Sequence, residues 1–338
     1  MSRYFDNKEL FTGPTTKQYG SHMVTTNVVK ETKVKYINID SRFRDEYNYS
    51  SLANYYFTLP EKINDVKMIS VCNIELPQSV FNVSSDLGNN YFRLAYNDDV
   101  NGTGLLFDAV VDISNGYYTT TPANGTNPLI VSMKNAANNL TNAPGLPPFG
   151  QFVPAFTNYY QNGNIIDTTY NGCFTSLTNG DQSYTCIVDF AVTPDGNFDK
   201  YNVKSKLGWA LGFRDLSFTI PPNGIIYSES FANLVGPRYL YLVVDEFSRG
   251  NQSSFISPLP TSLINKNILA RISIDYKRYS FGEVLVGNQF NGILLSDNRS
   301  YTGKTDLQKL NIQLVNEWGN PVNLNGLDFS FTIAVEHE

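Results

Sequence analysis

The strongest constraint on the fold is a succession of short runs of β-forming residues, each stopped within a few positions by proline, glycine, asparagine or aspartate. Val34-Lys35-Tyr36-Ile37-Asn38-Ile39 ends at Asp40-Ser41, and Tyr55–Leu59 ends at Pro60. Val66, Met68, Ser70, Cys72, Ile74 and Leu76 alternate along a longer run that ends at Pro77. Further runs lie at Tyr91–Tyr96, Leu105–Ile113, Ser183–Val192, Ser217–Ile220, Tyr239–Val244 and Ile268–Tyr276. Others follow at Glu283–Val286, Gly292–Leu295, Leu310–Val315 and Phe329–Val335. Only two stretches carry helical spacing. One is Pro128–Leu140, with Asn127-Pro128 as cap and first turn, and the other is Tyr201–Leu211. Strands and helices do not alternate, which argues against a parallel α/β sheet and predicts an all-β sandwich.

Two regions stand apart from this pattern. Residues 1–32 have no sustained periodicity and hold Gly13-Pro14, so they read as an extended N-terminal arm. Residues 141–182 are the least regular part of the body at 33–338, with Pro144, Pro147, Pro148 and Pro154 among Gly, Asn, Thr and Tyr. They read as a loop or an inserted element at one end of the sandwich.

Composition narrows the function. Charged residues are only 17% of the chain, and Asn, Thr, Ser, Tyr and Gly replace them. Such a surface suits a molecule that buries much of its outside against neighbours. Net charge is −6 and no long basic stripe is present, so the electrostatic footprint of a nucleic-acid binder is missing. A local exception is residues 1–35, where six Lys and Arg oppose three Asp and Glu, as expected of a docking tail. The three cysteines, Cys72, Cys173 and Cys186, form no CxxC pair, which predicts a reducing compartment and no zinc site. The opening residues are polar and no apolar run reaches the length of a membrane span.

No constellation for bond-making stands out. The two histidines are His22, in the arm, and His337, beside the last residue, so histidine-based acid–base work is not expected. HExxH, Walker and Gly-x-Ser-x-Gly patterns are absent. Asp40, Asp45 and Glu46, or Asp245 and Glu246, could in principle serve as a glycosidase pair. With Arg42, Arg44 and Arg238 near them in sequence, they read more simply as salt-bridged turns. No catalytic residue, cofactor or metal is therefore assigned. Arg42-Phe43-Arg44 sets an aromatic between two arginines just after a strand, a composition favoured at protein interfaces.

Three segments resemble minor capsid proteins of nucleocytoplasmic large DNA viruses, the giant-virus and algal-virus group. The first is Lys35–Asp45, followed by Phe57-Thr58-Leu59-Pro60 and Ile74-Glu75-Leu76-Pro77. The second is Leu207–Arg214, followed by Gly236–Leu242. The third runs from Asp306 through Trp318-Gly319 to Leu324–Thr332. The resemblance implies a jelly roll for the β-sandwich, to which the residue pattern itself adds one or two short helices and a long loop insertion. It also implies a non-enzymatic protein of the virion, placed in the capsid shell and assembled in the host cytoplasm. Its partners would be the major capsid protein and other minor capsid proteins, with self-association open. Trp209, Phe213, Arg214, Arg238 and Tyr239, which lie in these segments, join Arg42, Phe43 and Arg44 as candidate interface residues. The expected role is to cement capsomers. A five-fold vertex (penton) protein is the alternative within this class. A carbohydrate- or receptor-binding virion protein is the alternative outside it, with Phe152–Tyr160 as an aromatic recognition loop.

Overall fold

A computed structural model describes residues 32–98, 104–121, 126–141, 151–161, 164–178, 184–222, 224–247, 255–259, 262–264 and 267–338. In chain order the strands are β1 (Lys33–Asp40), β2 (Asn54–Pro77), β3 (Tyr91–Asp98), β4 (Gly104–Asp112) and β5 (Gln151–Gln161). Next come β6 (Asn164–Thr178), β7 (Tyr184–Asp189), β8 (Ser217–Ile220), β9 (Ile225–Tyr227) and β10 (Tyr239–Asp245). The last are β11 (Ile268–Ser273), β12 (Val284–Asn288), β13 (Leu294–Ser296), β14 (Arg299–Asn316) and β15 (Ser330–His337). Two α-helices are present among the described residues, α1 (Pro128–Thr141) and α2 (Leu207–Leu211). The protein is all-β, as the turn-bounded runs predict.

The two early runs expected as separate strands are one long strand, β2, bent in its middle. Asp65 sits at the bend with φ 52°, and the buried positions Leu59, Ile63, Val66, Ile69 and Val71 no longer keep a strict period of two. Register shifts against both neighbours mark the same place, as bulges do when a strand changes sheet. The first half of β2 pairs with β14, and the second half pairs with β15 and β12.

Counting each half of β2 as a strand, pairing is nested from the outside in. The first strand, β1, lies beside the last, β15, and the first half of β2 lies beside β14. The second half lies beside β12, and β10 lies beside β11. β15 also flanks the second half of β2, and β14 flanks β10. The result is two sheets, β1-β15-β2-β12 and β2-β14-β10-β11, with β13 extending the second. This is the eight-stranded double Greek key of a jelly roll. Its core is chiefly apolar, with Ile69, Ile74, Leu242, Leu285, Leu310, Leu314, Phe331 and Ile333 all buried. Each such side chain contributes about 1.5–3 kcal/mol of transfer free energy.

Everything between Pro77 and Tyr239 enters between the third and fourth strands of that count. It builds a separate sheet, β4-β3-β7-β8, and a second core around Phe92, Phe152, Phe190, Leu207, Leu211 and Phe213. Helix α1 lays Leu129, Met133 and Ala137 on this core, and the Asn127 Oδ1 accepts from the Leu129 N–H at 3.1 Å, the cap its sequence predicts. Residues 151–161 and 164–178, expected to be irregular, pair as the hairpin β5–β6, with β9 on its far side. Pro154 obscured this strand in the sequence. It is tolerated because β5 is the edge of its sheet.

Candidate interaction cleft

Helix α2 sets the first wall of the cleft. A 3-10 turn at Val203–Ser205 leads into it, and Gly212 ends it in the left-handed region at φ 97°, donating to the carbonyls of Gly208 and Trp209. Leu207, Gly208 and Leu211 face the second core, and a Cβ on Gly208 would stand 2.5 Å from Phe190. With that face committed inward, Trp209 is left half-exposed on the other side. The Arg214 guanidinium stacks 4.1 Å above its ring, and the Arg214 Nη1 donates to the carbonyls of Trp209 at 3.0 Å and Phe213 at 3.1 Å. The Lys204 ammonium lies 5.9 Å from the same ring.

The jelly roll supplies the second wall. Tyr239 opens β10, with the Arg271 guanidinium 4.3 Å above its ring and Tyr241 edge-on at 5.3 Å. A tight turn follows β14. Asn316 Oδ1 accepts from the N–H groups of Trp318 and Asn320, both at 3.0 Å, and Gly319 takes φ 83°. The turn holds Glu317 and Trp318 at the cleft. Glu317 accepts the Arg238 N–H at 3.1 Å, and burial pushes its carboxyl above the usual range. Arg238 is exposed, and its guanidinium has no hydrogen bond to another described residue. The space between the walls is about 530 Å³, closed at one side by Pro258 and Leu259. It adjoins a smaller hollow of about 110 Å³ beyond Lys204, Gly236 and Trp318.

Four of the eight candidate interface residues, Trp209, Arg214, Arg238 and Tyr239, therefore share one cleft between the insertion and the jelly roll. Phe213 does not join them. It is buried in the second core, stacked on Phe190 at 4.9 Å and edge-on to Phe218 at 4.8 Å. It follows the helix cap, where the chain turns back inward and its N–H reaches Gly208 O at 2.8 Å. Arg42, Phe43 and Arg44 lie elsewhere, after β1. Arg42 forks onto Asp40, whose carboxyl is held below the usual range chiefly by that hydrogen bonding, and Phe43 is 72% exposed. Arg44 is buried as a tie. It donates to Ser41 O, Tyr47 O and Ser50 Oγ at 2.8–3.0 Å and pairs with Asp328 at 3.3 Å.

Sequence reasoning missed Lys204, Glu317 and Trp318. Trp318-Gly319-Asn320-Pro321 reads only as a turn, and its role depends on a neighbour more than a hundred positions away in sequence. The expected aromatic recognition loop is also corrected. Phe152 is wholly buried on strand β5, and Phe156 packs against the same core. Among the described residues no group of three or more His, Cys, Asp and Glu could hold a metal ion, and no helix is long and apolar enough to cross a membrane.

No family model and no curated protein sequence matches the chain. Among solved structures, the mavirus penton protein is similar at a TM-score of 0.42 and 9% identity, over 91% of this chain and 100% of that one. A chain of the Sputnik virophage structure is similar at a TM-score of 0.40 and 11% identity, over 90% of this chain and 98% of that one. The nested strand pairing itself makes the fold a jelly roll.

Proposed function

We propose that the chain is a structural protein of an icosahedral virus shell that cements capsomers by binding the major capsid protein and other minor capsid proteins. The observation that carries this reading is the complete nested strand pairing around a chiefly apolar core. The inward faces of both sheets are committed to this core. What the jelly roll offers neighbours is its outside. There, Phe43, Tyr49, Phe290 and Ile256 are left in solvent, and a separate cleft is walled by cations and aromatics. The three sequence segments resembling minor capsid proteins fall on β1, β2, α2, β10, β14 and β15, the elements that build this frame and one wall of the cleft.

Many weak contacts linked through one chain, whose expected arm at 1–32 lies almost wholly outside the described residues, raise effective concentration enough to hold an assembly. Purified particles test the reading. The chain should be located in the shell by cryo-electron microscopy, and deletion of residues 1–32 should leave the body folded but block incorporation. Particles that lack the chain would overturn the proposal, and normal incorporation of the truncation would remove the arm from it. A five-fold ring at the vertices would assign the penton role in place of cementing.

A further inference from the structure

The cleft has a chemistry that specifies more than a sticky edge. Lys204, Arg214 and Arg238 oppose a single carboxylate, Glu317, on a body whose net charge is −6. Both tryptophans of the chain, Trp209 and Trp318, stand in it, with Tyr239 beside them. The Arg214 guanidinium is fixed on the Trp209 ring and donates to the Trp209 and Phe213 carbonyls, so Lys204 and Arg238 are the exposed cations of the cleft. The smaller hollow beyond Lys204 continues the cleft, so it suits an elongated occupant.

We propose that this cleft binds an extended acidic segment of another protein, with carboxylates interleaved with proline or aromatic side chains. The inference deepens the shell reading, because it names the chemistry of a partner. Charge selects among occupants. The chain's own first 35 residues carry six basic against three acidic side chains and would be repelled. A nucleic-acid backbone carries a charge at every nucleotide, more than the few cations of this cleft can neutralise on an acidic body, whereas a peptide can space its carboxylates to match them. Carboxylates spaced along a peptide can pair with Arg238 and Lys204 while the side chains between them fill the aromatic walls.

The two tryptophans make the cleft its own reporter. Intrinsic tryptophan fluorescence of the full chain is followed while a blocked Glu-Pro repeat peptide is added, with Lys-Pro and Ser-Pro repeats and oligothymidylate as comparisons. The Glu-Pro repeat should give a saturable change that weakens with added salt, and the other two peptides should give none. Exchanging Lys204→Glu and Arg238→Glu together should weaken it by at least about tenfold. Both side chains are exposed, and an unchanged thermal midpoint would show that the variant folds. No saturable change, an equal response to the Lys-Pro repeat, or full binding by the double variant would overturn the proposal. Tighter binding of oligothymidylate would overturn it in favour of nucleic acid. A chain present in particles but silent to the peptide refutes the cleft alone, and the reverse result refutes the shell role alone.

Discussion

Arg299 and Glu246 form an ion pair at 2.8 Å inside the jelly roll, with side-chain exposures of 1% and 0%. The Arg299 Nη1 also donates to Val244 O at 2.7 Å, and Nη2 donates to Asn267 O at 2.9 Å, so one guanidinium ties β10 and the start of β11 to β14. Charges so deep are tolerated only when paired and hydrogen-bonded. Arg299→Met alone leaves the buried carboxylate without its cation, and Glu246→Leu alone leaves the buried guanidinium without its anion. Each should cost about 3–5 kcal/mol in urea unfolding, while the double variant should recover much of the loss. Losses that simply add would show the two sites to be independent.

Phe213 and Phe43 look alike in the sequence, each beside an arginine, but one is core and the other is surface. Phe213→Ala removes a ring stacked on Phe190 and edge-on to Phe218, and should cost about 3–5 kcal/mol. Phe43→Ala should stay within about 0.5 kcal/mol. Chemical denaturation of the pair checks both, and a similar loss in the two variants would contradict this placement of Phe213.

Gly212 offers a sharper test of the cleft's first wall. Its φ of 97° suits glycine, and a Cβ there would stand 2.1 Å from the Ser230 carbonyl oxygen. Gly282 has a similar φ of 93° with open space around its Cβ position. Gly212→Ala should therefore lose more than about 1 kcal/mol, and clearly more than Gly282→Ala. It should also shift the tryptophan emission, because Gly212 ends the helix that carries Trp209. Equal losses would mean that the backbone dihedral alone matters at Gly212.

Much of the frame was legible because its strands are punctuated. Pro77 ends β2, Asp40 ends β1, and Asn127-Pro128 starts α1, each through local chemistry that a sequence displays. What escaped depended on partners distant in sequence. Pro154 looked like a strand breaker until β6 took its only paired edge. The β2 bend at Asp65 is stabilised by β14 and β15, the last two strands of the chain, so the run before Pro60 and the run after it read as separate elements. Trp209 and Arg238 could be singled out by type, yet nothing near them announced that Glu317 and Trp318 complete their cleft. Arg44 misled in the other direction, since its type suits an interface while Ser41, Tyr47, Ser50 and Asp328 draw it inward.

Two carboxylates should give the stability opposite pH dependences. Hydrogen bonds from Arg42 hold Asp40 below its ordinary value of 3.8 in the folded chain. Its contribution is fully present above that value and is lost as pH falls through the lower folded value. Asp40→Asn should therefore lower the thermal midpoint at neutral pH, and the difference from the parent should shrink and vanish in strong acid. Burial raises Glu317 above its ordinary value of 4.5, so between the ordinary and the raised value the folded state binds the proton more readily than the unfolded. Its charged form is a cost to folding that disappears as pH falls through that window. Glu317→Gln keeps an oxygen to accept the Arg238 N–H while removing the buried charge. It should raise the midpoint at neutral pH and lose that advantage in mild acid. Midpoints measured across the acid range check both signs, and a Glu317→Gln variant less stable than the parent at neutral pH would show that the carboxylate is a net stabiliser of the Arg238 turn.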